Sequence, residues 1–489
     1  MRAPAVPMEM TVLRLPTTLL LCLAVSACAL GPHYAKPEQS VPAAFQQEAP
    51  LGPVWPDRQW WRGFQSADLN RLIGATETAS FDIQAAIARV HQADAQLKIN
   101  GAALLPAVTG SASQKYARSY TSVSPQLGNS KYYDTRTSGL NLSASYELDV
   151  WGRVAATRDS AEAAALYSRY DQQTVALTTI AAVANTWFTA LAYEDRLAVA
   201  QRNLSDSDEI LRAINARLDA GTASALDVAQ QAALVAGVRA TLPDLRSNAI
   251  QQINALGVLV GSLPEDIKVS PGTLTKLSLP EVAPGLPSDL LLRRPDIAAA
   301  EAQLVEANAN IRQARANFYP QISLTAGGGL QSAALGTLFG PTSMLLNAAA
   351  SVTQTIFDNG QKRGQYELTV AQEEELVANY RKAIVQAFTD VENALTQYRY
   401  TTEQEKLEQQ AVDVAQRAAD IARAQVMAGT SDIVTALQAQ STLFTDLDTL
   451  AQVRLARFQA LVALYKSLGG GWEVNDTAPP ERHLLQGVI

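Results

Sequence analysis

The sequence predicts a chain of mixed α and transmembrane β structure, in which long helices and four β-strands belong to a two-fold internal repeat. Three observations lead to this prediction: a repeat of about 200 residues, two stretches of 68 and 64 residues without glycine or proline, and segments in which apolar and polar residues alternate. The length of 489 residues fits two or three globular domains, or one elongated repeat architecture, equally well.

The composition excludes several classes of function. The chain has 39 Lys and Arg against 47 Asp and Glu, a net charge of −8, so it lacks the basic excess that neutralises nucleic-acid phosphates. Two cysteines and three histidines are too few for a disulfide framework or a Cys/His zinc site. The usual phosphate-binding, hydrolase and metalloprotease motifs are missing from the sequence. We therefore expect no catalysis, no cofactor and no nucleic-acid partner.

The amino terminus has the features of a lipoprotein signal. Arg2 and Arg14 precede an apolar run over residues 19–25 that is too short to span a bilayer. Small residues come just before Cys28, a pattern that resembles a bacterial lipoprotein signal with cleavage before this cysteine and acylation of it. The residue after Cys28 is Ala29, whereas Asp at this position would resemble an inner-membrane retention signal. Delivery to the outer membrane is therefore favoured. The alternative is an ordinary signal peptide with a cysteine near its end.

An internal repeat sets the architecture. Residues 83–106 align without gaps to residues 297–320 at an offset of 214, and the Ala-Gly-Thr sequence at Gly221 aligns to the one at Gly429 at an offset of 208. The chain is therefore predicted to contain two copies of one unit.

Each copy contains a predicted helix of unusual length. Residues 153–220 and 365–428 lack glycine and proline and are rich in good helix formers. A helix of that length extends for roughly 100 Å and needs a partner along all of it. The second stretch shows coiled-coil spacing in two registers, the first of Val377, Ile384, Val391 and Tyr398, and the second of Leu407, Ala411, Val414, Ala418, Ile421 and Ala428.

A turn ends each long helix. Gly221 and Gly429 stand where a helix commonly ends on a glycine in the left-handed conformation. We expect the chain to reverse there, at Thr222 and Thr430, into a second helix that runs back along the first.

Between the helices lie segments with strand periodicity. In residues 140–148 every second residue is apolar, and residues 316–357 carry no charge and repeat the alternation. The glycines and polar residues of the second segment exclude a transmembrane helix, whereas strands of 10 to 13 residues fit a membrane β-hairpin. A soluble β-sandwich cap is the alternative. Four strands leave two open edges, which lipid does not tolerate, so two, three or more chains must close a barrel.

One motif connects the sequence with a known family. Residues 287–297 contain Arg293-Arg294-Pro295-Asp296 and are followed by Glu301, and Gly31-Pro-His-Tyr34 lies just after Cys28. These features resemble the TolC/OprM-type outer-membrane factors, in the NodT-like lipoprotein branch that serves RND efflux systems. The resemblance implies a homotrimer with one twelve-stranded β-barrel in the outer membrane of a Gram-negative bacterium. It also implies that the long helices form an α-barrel through the periplasm. We interpret the Arg-Arg-Pro-Asp motif itself as a structural helix start.

The resemblance places a gate at the two turns. In the family this tip is the closed aperture and the surface where a periplasmic adaptor docks, and Asp227 matches an acid that links neighbouring helices there. At three pore-facing positions of the second copy this chain has Ser431, Thr435 and Gln438, so that Asp432 is the acid nearby. The alternative is that Asp227 and Asp432 stabilise helix starts. The predicted tip residues are Asp227, Asp432, Gly221, Gly429, Thr222 and Thr430.

Two acids mark the end of a predicted strand. Glu147 and Asp149 fall on its polar side, and we expect them to face the lumen and to favour cations there. The alternative is that they are solvated surface carboxylates.

The predicted organisation follows from these elements. Its parts are a lipoprotein signal peptide (1–27), an N-terminal equatorial segment (28–67), repeat 1 (68–262, with a hairpin at about 107–149, a long helix 153–220 and a return helix 222–262), an equatorial linker (263–286), repeat 2 (287–468, with a hairpin at about 320–357, a long helix 361–428 and a return helix 430–468) and a C-terminal equatorial tail (469–489).

The predicted function is that of an outer-membrane exit duct in a tripartite efflux system. It conducts small molecules passively and works with a periplasmic adaptor and an inner-membrane RND or similar transporter. The alternatives are the outer-membrane component of type I protein secretion and an acylated structural tether across the periplasm.

Overall fold

The computed structural model describes residues 34–42, 44–46, 56–122, 130–280 and 287–473. The predicted signal peptide, Cys28 and most of the predicted C-terminal tail lie outside these residues. The chain forms two compact units. The first comprises the described parts of Met1–Lys36, Ala93–Ala165 and Gln303–Val377, and the second those of Pro37–Gln92, Leu166–Ala302 and Ala378–Ile489.

Helices and strands alternate in the order that the repeat predicts. The elements are α1 (Ala67–Ala79), α2 (Phe81–Ala102), β1 (Ala107–Ser122), β2 (Ser130–Glu147), α3 (Arg153–Asp219), α4 (Ala225–Val260), α5 (Pro287–Arg293), α6 (Pro295–Ala316), β3 (Gln321–Ser332), β4 (Met344–Thr353), α7 (Gln361–Met427) and α8 (Ile433–Ser467).

The two halves of the chain contain matching helices. Helices α2 and α6 have 22 residues each, and both ends of α6 lie 214 positions after those of α2. Helices α3 and α7 have 67 residues each, related by 208 positions at both ends. Each long helix follows a glycine with positive φ, Gly152 at 72° and Gly360 at 82°, a conformation that side-chain-bearing residues rarely adopt.

The four strands form one antiparallel sheet in the order β1-β2-β3-β4. β1 and β2 have 16 and 18 residues, more than the 10 to 13 predicted, whereas β3 and β4 have 12 and 10. The difference arises because β2 pairs with β3 only from Ser138 to Glu147, so that the first hairpin continues beyond the second as a two-stranded ribbon. Among the described residues, β1 and β4 each have one partner strand, and both outer edges are open there.

The core of the second unit is aromatic where three segments meet. The Trp60 ring stacks on Tyr465 with centroids 4.8 Å apart, and Phe188 lies 5.0 Å from Phe64 and 4.9 Å from Phe458. Within the described residues, α3 is the helix that contains a stretch apolar and long enough to cross a membrane, but 56% of that stretch is buried inside the protein. Such burial is typical of a core helix.

Candidate functional site

One face of the sheet is apolar across all four strands. Residues that are paired across the strands point to the same side, and alternate residues point to opposite sides. Leu142 is 60% exposed, Leu346 76% and Val352 67%, so none of the residues that the structure describes covers this face. Its members are Val108, Gly110 and Ala112 on β1, Leu140, Leu142 and Ala144 on β2, Ile322, Leu324, Ala326 and Leu330 on β3, and Leu346, Ala348, Ala350 and Val352 on β4.

The opposite face is polar. The Thr109 and Ser143 hydroxyls lie 2.9 Å apart on neighbouring strands, and the Ser323 and Ser351 hydroxyls lie 2.6 Å apart. This face consists mainly of Thr109, Ser111 and Ser113, Asn141, Ser143 and Ser145, Ser323, Thr325 and Gln331, and Asn347, Ser351 and Thr353. A sheet with one apolar and one mainly polar face suits one apolar and one aqueous environment, as in the wall of a membrane barrel.

Tyrosines flank the apolar band. Tyr146 follows the same face at the end of β2 that leads to α3. Tyr116, Tyr120 and Tyr132 follow it at the other end, where the rings of Tyr120 and Tyr132 lie 5.3 Å apart. Tyrosine is enriched where apolar chains meet polar headgroups, so these positions fit the two interfacial girdles of a membrane barrel.

Glu147 and Asp149 lie at the junction of β2 and α3. The Glu147 carboxylate accepts two hydrogen bonds from the Arg153 guanidinium, at 2.9 and 2.6 Å. The Asp149 carboxylate accepts from the backbone N–H groups of Val154 and Ala155 at 3.0 and 2.7 Å, and so satisfies the first turn of the helix. Both acids therefore have structural partners that the sequence interpretation missed, and their role in the lumen stays a prediction.

The first predicted tip turn is a helix terminus with a left-handed glycine. Gly221 has a φ of 74°, its N–H donates to Leu218 O at 2.9 Å, and the Thr222 N–H donates to Arg217 O at 2.8 Å. The Thr222 hydroxyl also donates to Arg217 O, at 3.1 Å. These bonds satisfy carbonyls that the end of α3 leaves free.

The second turn repeats the first. Gly429 has a φ of 73°, and the Thr430 N–H and hydroxyl donate to Gln425 O at 2.9 and 3.2 Å. The glycine and the threonine thus have the same roles in both copies.

Alanine at either glycine is expected to destabilise the protein. A side chain in the left-handed region costs about 1 kcal/mol or more, so Gly221→Ala and Gly429→Ala should each lower the thermal midpoint of the purified protein. Gly237→Ala is the matched control, because this glycine lies within α4 and an added Cβ would meet no atom within 4 Å. The control should raise the midpoint slightly. Equal effects of all three substitutions would contradict this account of the turns.

The two tip acids begin the return helices. Ser224 and Asp227 form a capping box, in which the Asp227 carboxylate accepts from the Ser224 N–H at 2.8 Å and the Asp227 N–H donates to the Ser224 hydroxyl at 3.2 Å. The hydrogen bond from the Ser224 N–H is the main cause that lowers the pKa of Asp227. Asp432 is the N-cap of α8 and accepts from the Val434 N–H at 3.3 Å. Asp227 and Asp432 therefore both have hydrogen bonds that cap helix starts. Their part in gating stays a prediction.

Arg217 connects the two turns and was missed by the sequence interpretation. Its guanidinium donates to Val426 O at 2.7 Å and to Thr222 O at 3.3 Å, so one side chain binds a carbonyl in the last turn of α7 and a carbonyl of the turn that follows α3. An apolar cluster joins the same helices, and it consists of Ile210, Ile214, Ala422, Val426, Ile433 and Ala436.

The Arg-Arg-Pro-Asp motif forms a buried ion cluster. Helix α6 begins at Pro295, as the motif predicts, and Arg294 is 8% exposed. The Arg294 guanidinium contacts Asp296 at 3.0 and 2.6 Å and Asp390 at 3.1 Å, and it donates to Ser467 O at 3.2 Å. The cluster borders a cavity of about 440 Å³. Within the described part of the chain, no three His, Cys, Asp or Glu side chains are grouped to hold a metal ion.

The two coiled-coil registers of α7 have different surroundings. In the first register Ile384 is 2% exposed and Val391 is fully buried. In the second register Leu407, Val414 and Ile421 are 57%, 57% and 60% exposed. We call these three residues the α7 stripe, which is apolar, has heptad spacing and is not covered by any element in the described part of the chain.

Comparisons with known proteins identify the family. The profile of the outer membrane efflux protein family matches residues 72–262 and 286–470. The pyoverdine export outer membrane protein OpmQ of Pseudomonas aeruginosa is 38% identical over 457 residues, which cover 92% of this chain and 96% of OpmQ. The toluene efflux pump outer membrane protein TtgC of Pseudomonas putida is 34% identical, with 93% and 96% of the two chains covered.

Solved structures agree with this assignment. The outer-membrane channel OprN has a TM-score of 0.84 at 26% identity and covers 91% of this chain with all of its own. The open state of the MtrE outer membrane channel of Neisseria gonorrhoeae has a TM-score of 0.81 at 27% identity, with 91% and 99% covered. The predicted fold class of repeated long helices with a four-stranded sheet is confirmed by these channels. The chain therefore belongs to the outer membrane efflux protein family.

Proposed function

We propose that the protein is the outer-membrane exit channel of a three-component efflux system and that it assembles as a homotrimer. The observation that carries the proposal is the two-faced sheet. Within the part of the chain that the structure describes, its apolar face is uncovered and its edge strands β1 and β4 each lack a second partner strand. In lipid such edges must be paired, and strands from further copies of the chain supply the pairs. Three copies give the twelve strands of one closed barrel.

The helices support the same assembly. The α7 stripe is apolar over three heptads and exposed, a pattern that is buried when a neighbouring helix packs against it. In the trimer the long helices of neighbouring copies would meet along such stripes and surround a continuous aqueous path.

The proposed partners are a periplasmic adaptor at the tip and an inner-membrane transporter of the RND or a similar type. The channel performs no chemistry, and it opens because its partners bind the open form more tightly than the closed one. Relatives with 34 to 38% identity are named for cargoes as different as pyoverdine and toluene. We infer that the transporter, rather than this channel, selects the cargo.

Planar bilayers test the channel directly. The purified protein should give discrete conductance steps, because a closed barrel with a polar inner face conducts ions. A structural tether would give none, and that result would overturn the proposal in favour of the tether.

Loss of the tip acids is expected to raise this conductance. Asp227→Ala and Asp432→Ala remove both a negative charge and a helix cap, so the start of each return helix loosens where the aperture should close. Asp219→Ala is the matched control, because this exposed acid ends α3 and removes the same charge without a cap. If conductance does not change in the first two variants, neither acid belongs to the gate.

We further propose that Cys28 anchors the mature chain through acyl groups. Cys28→Ser should abolish incorporation of labelled fatty acid, while the protein should stay in the outer-membrane fraction because a transmembrane barrel holds a bilayer more firmly than acyl chains do. Persistent labelling of the variant would contradict the acylation of this cysteine.

A further inference from the structure

A layer of polar side chains joins three helices of the second unit, α3, α4 and α8, about three turns before the end of α3. We call it the polar layer, and its members are Asn203 and Ser207 on α3, Gln231 on α4 and Gln440 on α8. Ser207 and Gln231 are fully buried and Gln440 is 8% exposed, so the layer lies in the interior of a single chain.

Hydrogen bonds in the layer converge on Ser207. The Gln440 side-chain amide donates to the Ser207 hydroxyl at 2.8 Å and to Asn203 Oδ1 at 3.1 Å. The Gln231 side-chain amide donates to the Ser207 backbone carbonyl at 2.8 Å. Helix α3 is therefore joined to α4 and α8 at one level by polar contacts.

Ion pairs surround the layer at the same level. Asp208 pairs with Arg239 of α4 at 3.6 Å, and Asp206 pairs with Arg423 of α7 at 3.8 Å. Glu209 also contacts Arg423. Helices α4, α7 and α8 thus each meet α3 at this level through polar or charged groups.

Two atoms of the layer have unused hydrogen-bonding capacity. The side-chain carbonyl oxygens of Gln231 and Gln440 are buried and accept no hydrogen bond from the protein. A buried acceptor without a partner destabilises the packing around it, so this level is weaker than an apolar layer of the same size would be.

Apolar clusters lie on both sides of the layer. Toward the tip is the cluster around Ile210 and Ile433, and away from it is a second cluster of Leu197, Ala200, Leu242 and Leu245. The helices are therefore joined by two apolar contacts with one weak polar level between them.

We propose that the polar layer is the level at which the tip of the channel opens, and that Gln231 and Gln440 are the positioning residues that keep the tip segment weakly joined to the adjoining helices. The tip segment comprises residues 210–219 of α3 and 421–427 of α7. A low-stability level between two packed clusters is where a helix bundle separates first. The proposal rests on the function proposed above, since it takes this tip to be the mouth of the channel.

Amide hydrogen exchange of the intact protein in detergent tests the proposal. In the unchanged protein, amides of the tip segment should exchange faster than those of residues 193–204 on the other side of the layer. Leucine is close to glutamine in volume and removes both unpaired carbonyl oxygens. The Ser207 hydroxyl loses the amide of Gln440 but can donate to a carbonyl of its own helix, and Asn203 is partly exposed to water. Gln231→Leu with Gln440→Leu should therefore slow exchange in the tip segment about tenfold and leave residues 193–204 unchanged. Gln251→Leu, at an exposed site on α4, is the matched control and should change neither region.

Two results would overturn the proposal: equal exchange on both sides of the layer in the unchanged protein, or equal slowing on both sides in the double variant. The second result would mean that the glutamines affect only overall stability. If the leucine pair does not fold, Gln231→Met with Gln440→Met decides in its place, because the flexible methionine side chain adapts to irregular spaces.

Conductance supplies a separate readout. The double leucine variant should open less often than the unchanged protein in planar bilayers, and an unchanged frequency of opening would count against the proposal. If the unchanged protein does not conduct at all, the proposed function fails. Hydrogen exchange then still decides whether the tip segment separates from the adjoining helices at the polar layer.

Discussion

Replacing Leu407, Val414 and Ile421 together by serine is expected to leave a folded chain that no longer assembles into a trimer. These side chains are 57 to 60% exposed in the single chain, so serine there removes few contacts within it. Full burial of an exposed Val, Leu or Ile side chain contributes about 1.5 to 3 kcal/mol. Only the 57 to 60% that is still exposed becomes buried on assembly, so the three substitutions remove about 3 to 5 kcal/mol at each interface. A closed ring of three chains loses this amount at all three interfaces.

The measurement is the molar mass of the purified protein in detergent, by light scattering that corrects for the bound detergent. Lys406, Asp413 and Asp420 precede the three stripe residues by one position each and are exposed, so their joint replacement by serine is the matched control. The control should keep the mass of a trimer. A stripe variant with the same mass as the control would show that α7 does not contribute to assembly through this face.

The α7 stripe also shows where sequence reasoning ends. Both coiled-coil registers of α7 were predicted from heptad spacing, and both consist of apolar residues at the expected positions. The same heptad spacing occurs whether the partner helix belongs to the same chain or to another chain. Only the structure shows that Val391 packs inside the chain and that Val414 does not.

Local rules predicted the helix ends well. The long helices were expected over residues 153–220 and 361–428, and each is one residue shorter at its end. The reason is that a left-handed glycine ends a helix through bonds between residues close in sequence, which the motif itself specifies. The first hairpin was less predictable, because the polar residues Gln114 and Arg118 follow Ala112 on the apolar side and interrupt the alternation, although they belong to the continuous strand β1.

Contacts between distant residues could not be predicted. Arg217 and Val426 lie 209 positions apart, and nothing in either local sequence indicates that the side chain of the first binds the carbonyl of the second. The same holds for Ser207 and Gln440, since a buried glutamine looks like a solvated one until the helices are placed side by side.

Arg294→Ala is expected to cause the largest loss of stability of any single substitution considered for this protein. Burial by itself lowers the pKa of the guanidinium, but Asp296 and Asp390 outweigh that effect and raise it. The two carboxylates therefore compensate for the burial of the charge. Alanine would leave both carboxylates without their cationic partner and Ser467 O without its donor. The expected cost is about 3 kcal/mol, the low end of the range for a broken buried ion pair, because the side chains of Asp296 and Asp390 are 36% and 35% exposed to water.

The cluster ties together three separate parts of the second unit. Asp296 lies in the first turn of α6, Asp390 lies within α7 and Ser467 ends α8. Loss of Arg294 should therefore loosen the packing of these three helices at once. The measurement is the thermal midpoint of the purified protein. Arg363→Ala is the control, because Arg363 pairs with Glu367 at an exposed site on α7 and such pairs contribute little.

A further variant separates the net stability of the cluster from the cost of breaking it. Arg294→Met combined with Asp296→Asn and Asp390→Asn removes all three charges together and leaves no buried ion without a partner. Replacement of a complete buried ion cluster by neutral groups is often close to neutral, so the triple variant should melt much closer to the unchanged protein than Arg294→Ala does. If instead the triple variant melts as low as Arg294→Ala, the three charges stabilise the junction by their attraction, and the loss in the single variant does not come from stranded carboxylates.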